Sequence, residues 1–75
     1  MRYLVRHPIS IGDLRHLVRV VGYNAGERAP YLVPRGRVIE AAPAAARAIA
    51  KWKENHCIEP YDPEVHKDAI LTPRA

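Results

Sequence analysis

Residues 31–56 read YLVPRGRVIEAAPAAARAIAKWKENH, from Tyr31 to His56, and the fold turns on how this stretch is read. Its first part predicts a β-hairpin over 31–40. Tyr31–Val33 and Arg37–Glu40 form the arms, Pro34 presets the turn, and Gly36 takes a positive φ that other residues resist. Its second part predicts an amphipathic helix over 43–56. Pro43 stands at a first-turn position, where its missing N–H costs nothing. Ala41, Ala45, Ala48, Ile49, Trp52 and His56 then share one face, and Pro43, Arg47, Ala50, Lys51 and Glu54 the other. Small alanines let the helix approach a sheet closely, and Trp52 is the largest expected core residue. On this reading the hairpin tip Arg35-Gly36-Arg37 adds little to the fold and is free for function.

Toward the N-terminus, Arg2-Tyr3-Leu4-Val5-Arg6 alternates as a short strand with Tyr3 and Val5 inward, and Pro8 stops it. Ser10 reads as an N-cap with Asp13 in the first turn of a helix over 11–21. That helix gathers Ile11, Leu14, Leu17, Val18 and Val21 on one face and ends at Gly22. The competing reading makes 14–23 a strand, but its alternation would place Arg15, Leu17, Arg19 and Val21 together, mixing charge with bulk. Asn24-Ala25-Gly26 predicts a turn, with a loop to Pro30. Toward the C-terminus, Asp62-Pro63-Glu64 has the order of cap, first-turn proline and early acid, which predicts a short helix over 63–70. The tail 71–75 is expected to fray. The chain is thus expected to be one small α+β domain over residues 1–70.

Seventy-five residues bury only about 60–65% of the surface exposed by the unfolded chain, so such a domain has a thin stability margin. A single cysteine, Cys57, excludes an internal disulfide. A partner or self-association, including a homodimer, is the remaining supplement. The composition is 48% hydrophobic and 27% charged, which is globular rather than disordered. No apolar run is long enough to span a bilayer, and no segment near the N-terminus has the apolar core of a secretory signal. A cytoplasmic setting is therefore expected.

The formal charge is +4 and unevenly spread. Residues 1–37 carry seven arginines against Asp13 and Glu27, a net of +5; residues 38–75 carry a net of −1. Arginine supplies a planar donor fork suited to phosphate or carboxylate. Arg15 and Arg19 are one helical turn apart, Arg2 and Arg6 share a strand face, and Arg35 and Arg37 bracket a glycine. Tyr3, Tyr23 and Tyr31 lie near them in sequence as stacking surfaces. Arg15, Arg19, Arg35 and Arg37 are therefore the expected binding residues.

Catalytic and metal chemistry find little support. His56 and Cys57 are adjacent, yet no base, third group or paired metal-ligand spacing accompanies them. Cys57 reads as a small buried hydrophobe and His56 as a half-buried packing residue. Glu40, Glu59, Asp62, Glu64 and Asp68 show no paired spacing, and neither G-x-G-x-x-G nor G-x-x-x-x-G-K occurs. No enzyme, cofactor, metal or small-molecule substrate is implied. The predicted order of helix, hairpin and alanine-rich helix resembles the layout of double-stranded-RNA-binding domains. The last helix, however, lacks the starting lysine cluster of that family, and the strands are shorter and one too few.

Two classes of function remain. One is a basic non-enzymatic module contacting nucleic acid, a ribonucleoprotein or another nucleic-acid-processing complex. The other is a protein-interaction module, such as a small regulator or inhibitor of the kind phages and mobile elements encode, docking on a larger assembly.

Overall fold

The computed structural model describes residues 1–23 and 31–72. The turn expected at 24–26, the loop to Pro30 and the end of the tail lie outside these residues. Among the described residues the chain forms a small α+β unit with a four-stranded antiparallel sheet, a two-stranded sheet and one α-helix. Strands β1 (Arg2–Val5), β3 (Val18–Val20), β5 (Val38–Ala41) and β6 (Ile58–Pro60) form the larger sheet in the order β3-β5-β1-β6. Strands β2 (Ile9–Ser10) and β4 (Leu32–Val33) form the smaller one.

The predicted 31–40 hairpin is not formed. Its arms pair with the N-terminal segment instead of with each other: β4 with β2, and β5 with β1. The register is the same in both sheets, since Arg2 faces Glu40, Leu4 faces Val38, Ile9 faces Val33 and Ser10 faces Leu32. The two sheets are thus one antiparallel ribbon, interrupted where Pro8 would face Pro34. Neither proline has an N–H to donate, so the ladder breaks there and the ribbon can bend. The turn chemistry itself holds: Gly36 has φ 92° and Arg37 N–H donates to Pro34 O at 3.4 Å.

The predicted helix 11–21 is also absent. A single 3-10 turn spans Gly12–Leu14, Ser10 belongs to β2 rather than capping a helix, and Val18–Val20 is a strand. The competing strand reading was nearer: the strand is shorter than 14–23, but its alternation holds, with Val18 and Val20 buried and Arg19 on the opposite, exposed face. Branched valines fit a pleated surface, and pairing beside β5 satisfies their backbone. The resemblance in layout to double-stranded-RNA-binding domains lapses with this helix.

The second predicted helix forms as a 3-10 turn, Pro43–Ala45, running into α1, Ala46–Glu54. It ends two residues earlier than expected in a left-handed His56, φ 58°. There Cys57 N–H donates to Trp52 O at 2.8 Å and His56 N–H to Lys53 O at 3.1 Å. This is the paired C-terminal closure usually built on glycine, and it leaves His56 exposed rather than half-buried. Cys57 is half-buried.

Residues directly opposite one another in a ladder share a face. Tyr3, Val5, Val18, Val20, Ile39 and Ile58 accordingly project toward α1, where Ala45 and Ile49 close the core. Ile9, Ile11 and Val33 extend it under the smaller sheet. Trp52 packs against this core but is only half-buried, with Ile39, Val5 and Val20 more completely enclosed. Leu4 and Val38 are buried without belonging to this cluster, because they point the other way.

The C-terminal segment forms turns instead of the predicted 63–70 helix. Asp62 does cap locally, accepting from Glu64 N–H at 3.0 Å, but the turn does not propagate. Residues 65–69 instead lie beside Leu4 and Glu59 on the helix-free side, and Ile70 forms a parallel bridge to Arg37. Ile70 N–H donates to Gly36 O at 2.7 Å, and Thr72 O accepts from Arg37 Nη1 at 2.6 Å, which ties the segment to the turn after β4 and to Arg37. Gly22, φ 102°, permits the approach, because a Cβ there would lie 2.5 Å from Leu71 O.

Candidate nucleic-acid interface

The helix-free face of the larger sheet is where arginines gather. Alternation along β1 puts Arg2 and Leu4 on it, and register adds Arg19, Glu40 and Glu59. Arg6, two residues past Leu4, joins them through Nη1, which donates to Glu59 Oε1 at 3.0 Å. The side chains of Arg2, Arg6 and Arg19 are each about half exposed.

Glu40 is the centre of one row across three strands. Its Oε2 accepts from Arg19 Nη2 at 3.0 Å and from Arg2 Nε at 3.3 Å. The Arg19 hydrogen bond, with Arg2 behind it, holds the Glu40 carboxyl below its ordinary value, against a smaller opposing effect of burial. Glu59 forms a second centre, its Oε1 accepting from Arg6 and lying 3.0 Å from His66 Nε2. Three guanidiniums thus face two carboxylates. Each guanidinium has five N–H donors, so one bond to a glutamate leaves most of its fork available.

The four arginines expected to bind are not brought together. Arg19 lies on the arginine face beside Arg2. Arg35 is exposed on the turn after β4 and shares a cleft with Arg6. Arg15 is at the smaller sheet, its guanidinium 4.5 Å from the centroid of Tyr31. Arg37 is 4% exposed and cannot be a surface contact. It donates from Nη2 to Val21 O at 2.8 Å and from Nη1 to Thr72 O, and lies over Tyr23 at 5.2 Å. Its buried Nε has no hydrogen-bond partner among the described residues. The tip therefore contributes to the fold after all, because Arg37 ties three chain segments together.

Arg2 and Arg6 are the face residues that the expected set omitted. Their signal was the alternation Arg2-Leu4-Arg6 opposite the inward Tyr3 and Val5. Arg37 had a signal too, since it stands two residues before the core residue Ile39. Near Arg15, Tyr31 and Leu32 are exposed at 63% and 60%, a small apolar patch beside a cation.

Among the described residues, no group of three His, Cys, Asp or Glu side chains is arranged to hold a metal. No helix among them is long and apolar enough to cross a membrane. Comparisons with protein-family models, curated proteins and solved structures returned no match for this chain.

Proposed function

We propose that this protein is a small, basic, non-enzymatic binding module that contacts nucleic acid, alone or within a nucleic-acid-processing complex, in a cytoplasmic setting. The observation that carries this reading is the display of Arg2, Arg6 and Arg19 on one helix-free sheet face, with Arg35 at its end. Sheets present side chains at the spacing of a pleat, and guanidinium forks suit phosphate oxygens. Because Glu40 and Glu59 hold three of these arginines in place, the side chains are ordered before a partner arrives, which lowers the entropic cost of binding.

Three to four phosphate contacts give a log affinity that falls against log salt with a slope of about −3. Fluorescence anisotropy on labelled duplex DNA and single-stranded RNA across a salt series measures it. Arg2→Gln combined with Arg19→Gln is expected to flatten that slope by about 2 while leaving the fold intact. No binding at low salt, or an unchanged slope in the double variant, would overturn the proposal.

A second reading is favoured by the Arg15–Tyr31–Leu32 patch, since tyrosine and arginine dominate the energetics of protein interfaces. In it the protein is a small regulator docking on a larger assembly through the rim of the smaller sheet. Capture of one protein complex from nuclease-treated lysate, lost in Tyr31→Ser and retained in the Arg2/Arg19 double variant, selects this reading over the first.

A further inference from the structure

The turn after β4 and residues 65–69 enclose a cleft of about 380 Å³ on the helix-free side. Its charged lining consists of Arg6, Arg35, Glu59, His66 and Asp68, with Val65 and Ala69 as the apolar surface and Leu4 buried beneath. Part of this charge is already used. His66 Nδ1 accepts from Asp62 N–H at 3.0 Å, so in the neutral ring Nε2 carries the proton and donates to Glu59. Glu59 therefore serves the protein's own Arg6 and His66.

Arg35 and Asp68 are different. They line the same cleft, yet neither makes an ion pair or side-chain hydrogen bond among the described residues, and they do not bridge each other. Opposite charges that share a concavity without neutralising one another are complementary to a ligand carrying an anion at one end and hydrogen-bond donors at the other. The volume admits one small molecule of mixed character, and the exposed side chain of Val65 offers a ring an apolar surface.

We propose that this cleft binds a nucleoside 5′-monophosphate group. The phosphate lies on the Arg35 fork, with Arg6 adding donors beyond the one given to Glu59. The base lies against Val65 and Ala69 and turns its N–H edge toward Asp68. Guanine presents two adjacent donors and suits a carboxylate best. The same group occurs free or at the 5′ end of a strand. The site deepens the nucleic-acid reading by naming a contact that Arg2 and Arg19 do not make, and in the terminal case it rests on that reading.

Backbone-amide NMR and calorimetry with guanosine 5′-monophosphate test it, with guanosine as the phosphate-free control. Expected are shifts at Gly36, His66 and Ala69, and binding of the nucleotide at least about tenfold tighter than of the nucleoside, the scale of a charged hydrogen bond. Arg35→Gln and Asp68→Asn each weaken nucleotide binding by about tenfold or more, while Arg47→Gln, on the outer face of α1, changes nothing. A 5′-phosphorylated oligonucleotide that binds more tightly than the mononucleotide, and loses that advantage when dephosphorylated, identifies the strand end as the source. Equal affinities identify the free nucleotide. Absence of cleft shifts with both probes, or affinities indifferent to Arg35→Gln and Asp68→Asn, overturns the proposal. The two proposals fail separately. Salt-dependent binding to long strands without cleft shifts leaves only the arginine face, and nucleotide binding without affinity for long strands leaves only the cleft.

Discussion

The two faces of the four-stranded sheet are built on different physics. Toward α1, Tyr3, Val5, Val18, Val20, Ile39 and Ile58 meet Ala45 and Ile49 in an aliphatic layer that excludes water. On the other side, the buried Leu4 and Val38 share the face with guanidiniums and two glutamates, and residues 65–69 line a cleft with Leu4. The first face derives its stability from area removed from water, which is large and non-directional. The second derives it from directional bonds whose net contributions are small. The face that contributes less to stability is the one with donors left to offer a ligand.

The sharpest test of this contrast is Ile39→Ala, at the centre of the dry layer and 0% exposed. Loss of a fully buried branched side chain costs about 2–5 kcal/mol, comparable to the entire stability of so small a domain. Urea unfolding should show a protein at the edge of folding. A loss under about 1 kcal/mol would mean that the layer is not the principal support. Trp52→Ala should cost less than a fully buried tryptophan would, since Trp52 is half-buried.

Arg37→Met probes the directional bonds that hold the C-terminal segment. It leaves the carbonyls of Val21 and Thr72 unpaired, at about 2–3 kcal/mol in total. The damage should be local, with amide exchange at Ile70 accelerating well before exchange at Ile39. Equal acceleration at both would show that the C-terminal segment and the sheet open as one unit. An unchanged stability would mean that burying the cation costs as much as its bonds return.

The smallest expected effect is Glu40→Gln, under about 1 kcal/mol, because the Arg19–Glu40–Arg2 row is largely solvated. Its pH dependence has a definite sign. The folded-state pKa of Glu40 is lowered, so its contribution is complete above the ordinary carboxylate range and is lost as pH falls through the folded value. The gap in urea midpoint between wild type and Glu40→Gln should therefore close on acidification. A gap that widens in acid would contradict the assigned role.

How much of this was legible in the sequence differed from element to element. The helix was legible because Ala45, Ile49 and Trp52 recur at its period and Pro43 marks its start. The alternation around Tyr3 and Val5 was legible for the same reason. Residues 11–21 satisfied a helical pattern almost as well as a strand, and local periodicity cannot weigh a pairing partner that lies twenty residues away. The arms of 31–40 looked like a hairpin because proximity in sequence is the simplest source of a partner. Pro8 and Pro34 each signal a break, but only pairing reveals that they break the same ribbon.

The candidate site followed the same division. Sequence alone determined that the chain is a small α+β unit with an arginine-rich first half, because composition and short-range period are local properties. Tertiary structure alone decided which arginines could act. It buried Arg37 as a tie between β5, Val21 and Thr72, set Arg2 and Arg19 on either side of Glu40, and brought Arg35 and Asp68 into one cleft, where neither has a partner among the described residues. A guanidinium reads the same in a sequence whether it ends in water, on a glutamate or against a carbonyl. Its fate depends on which distant segment the backbone brings to it.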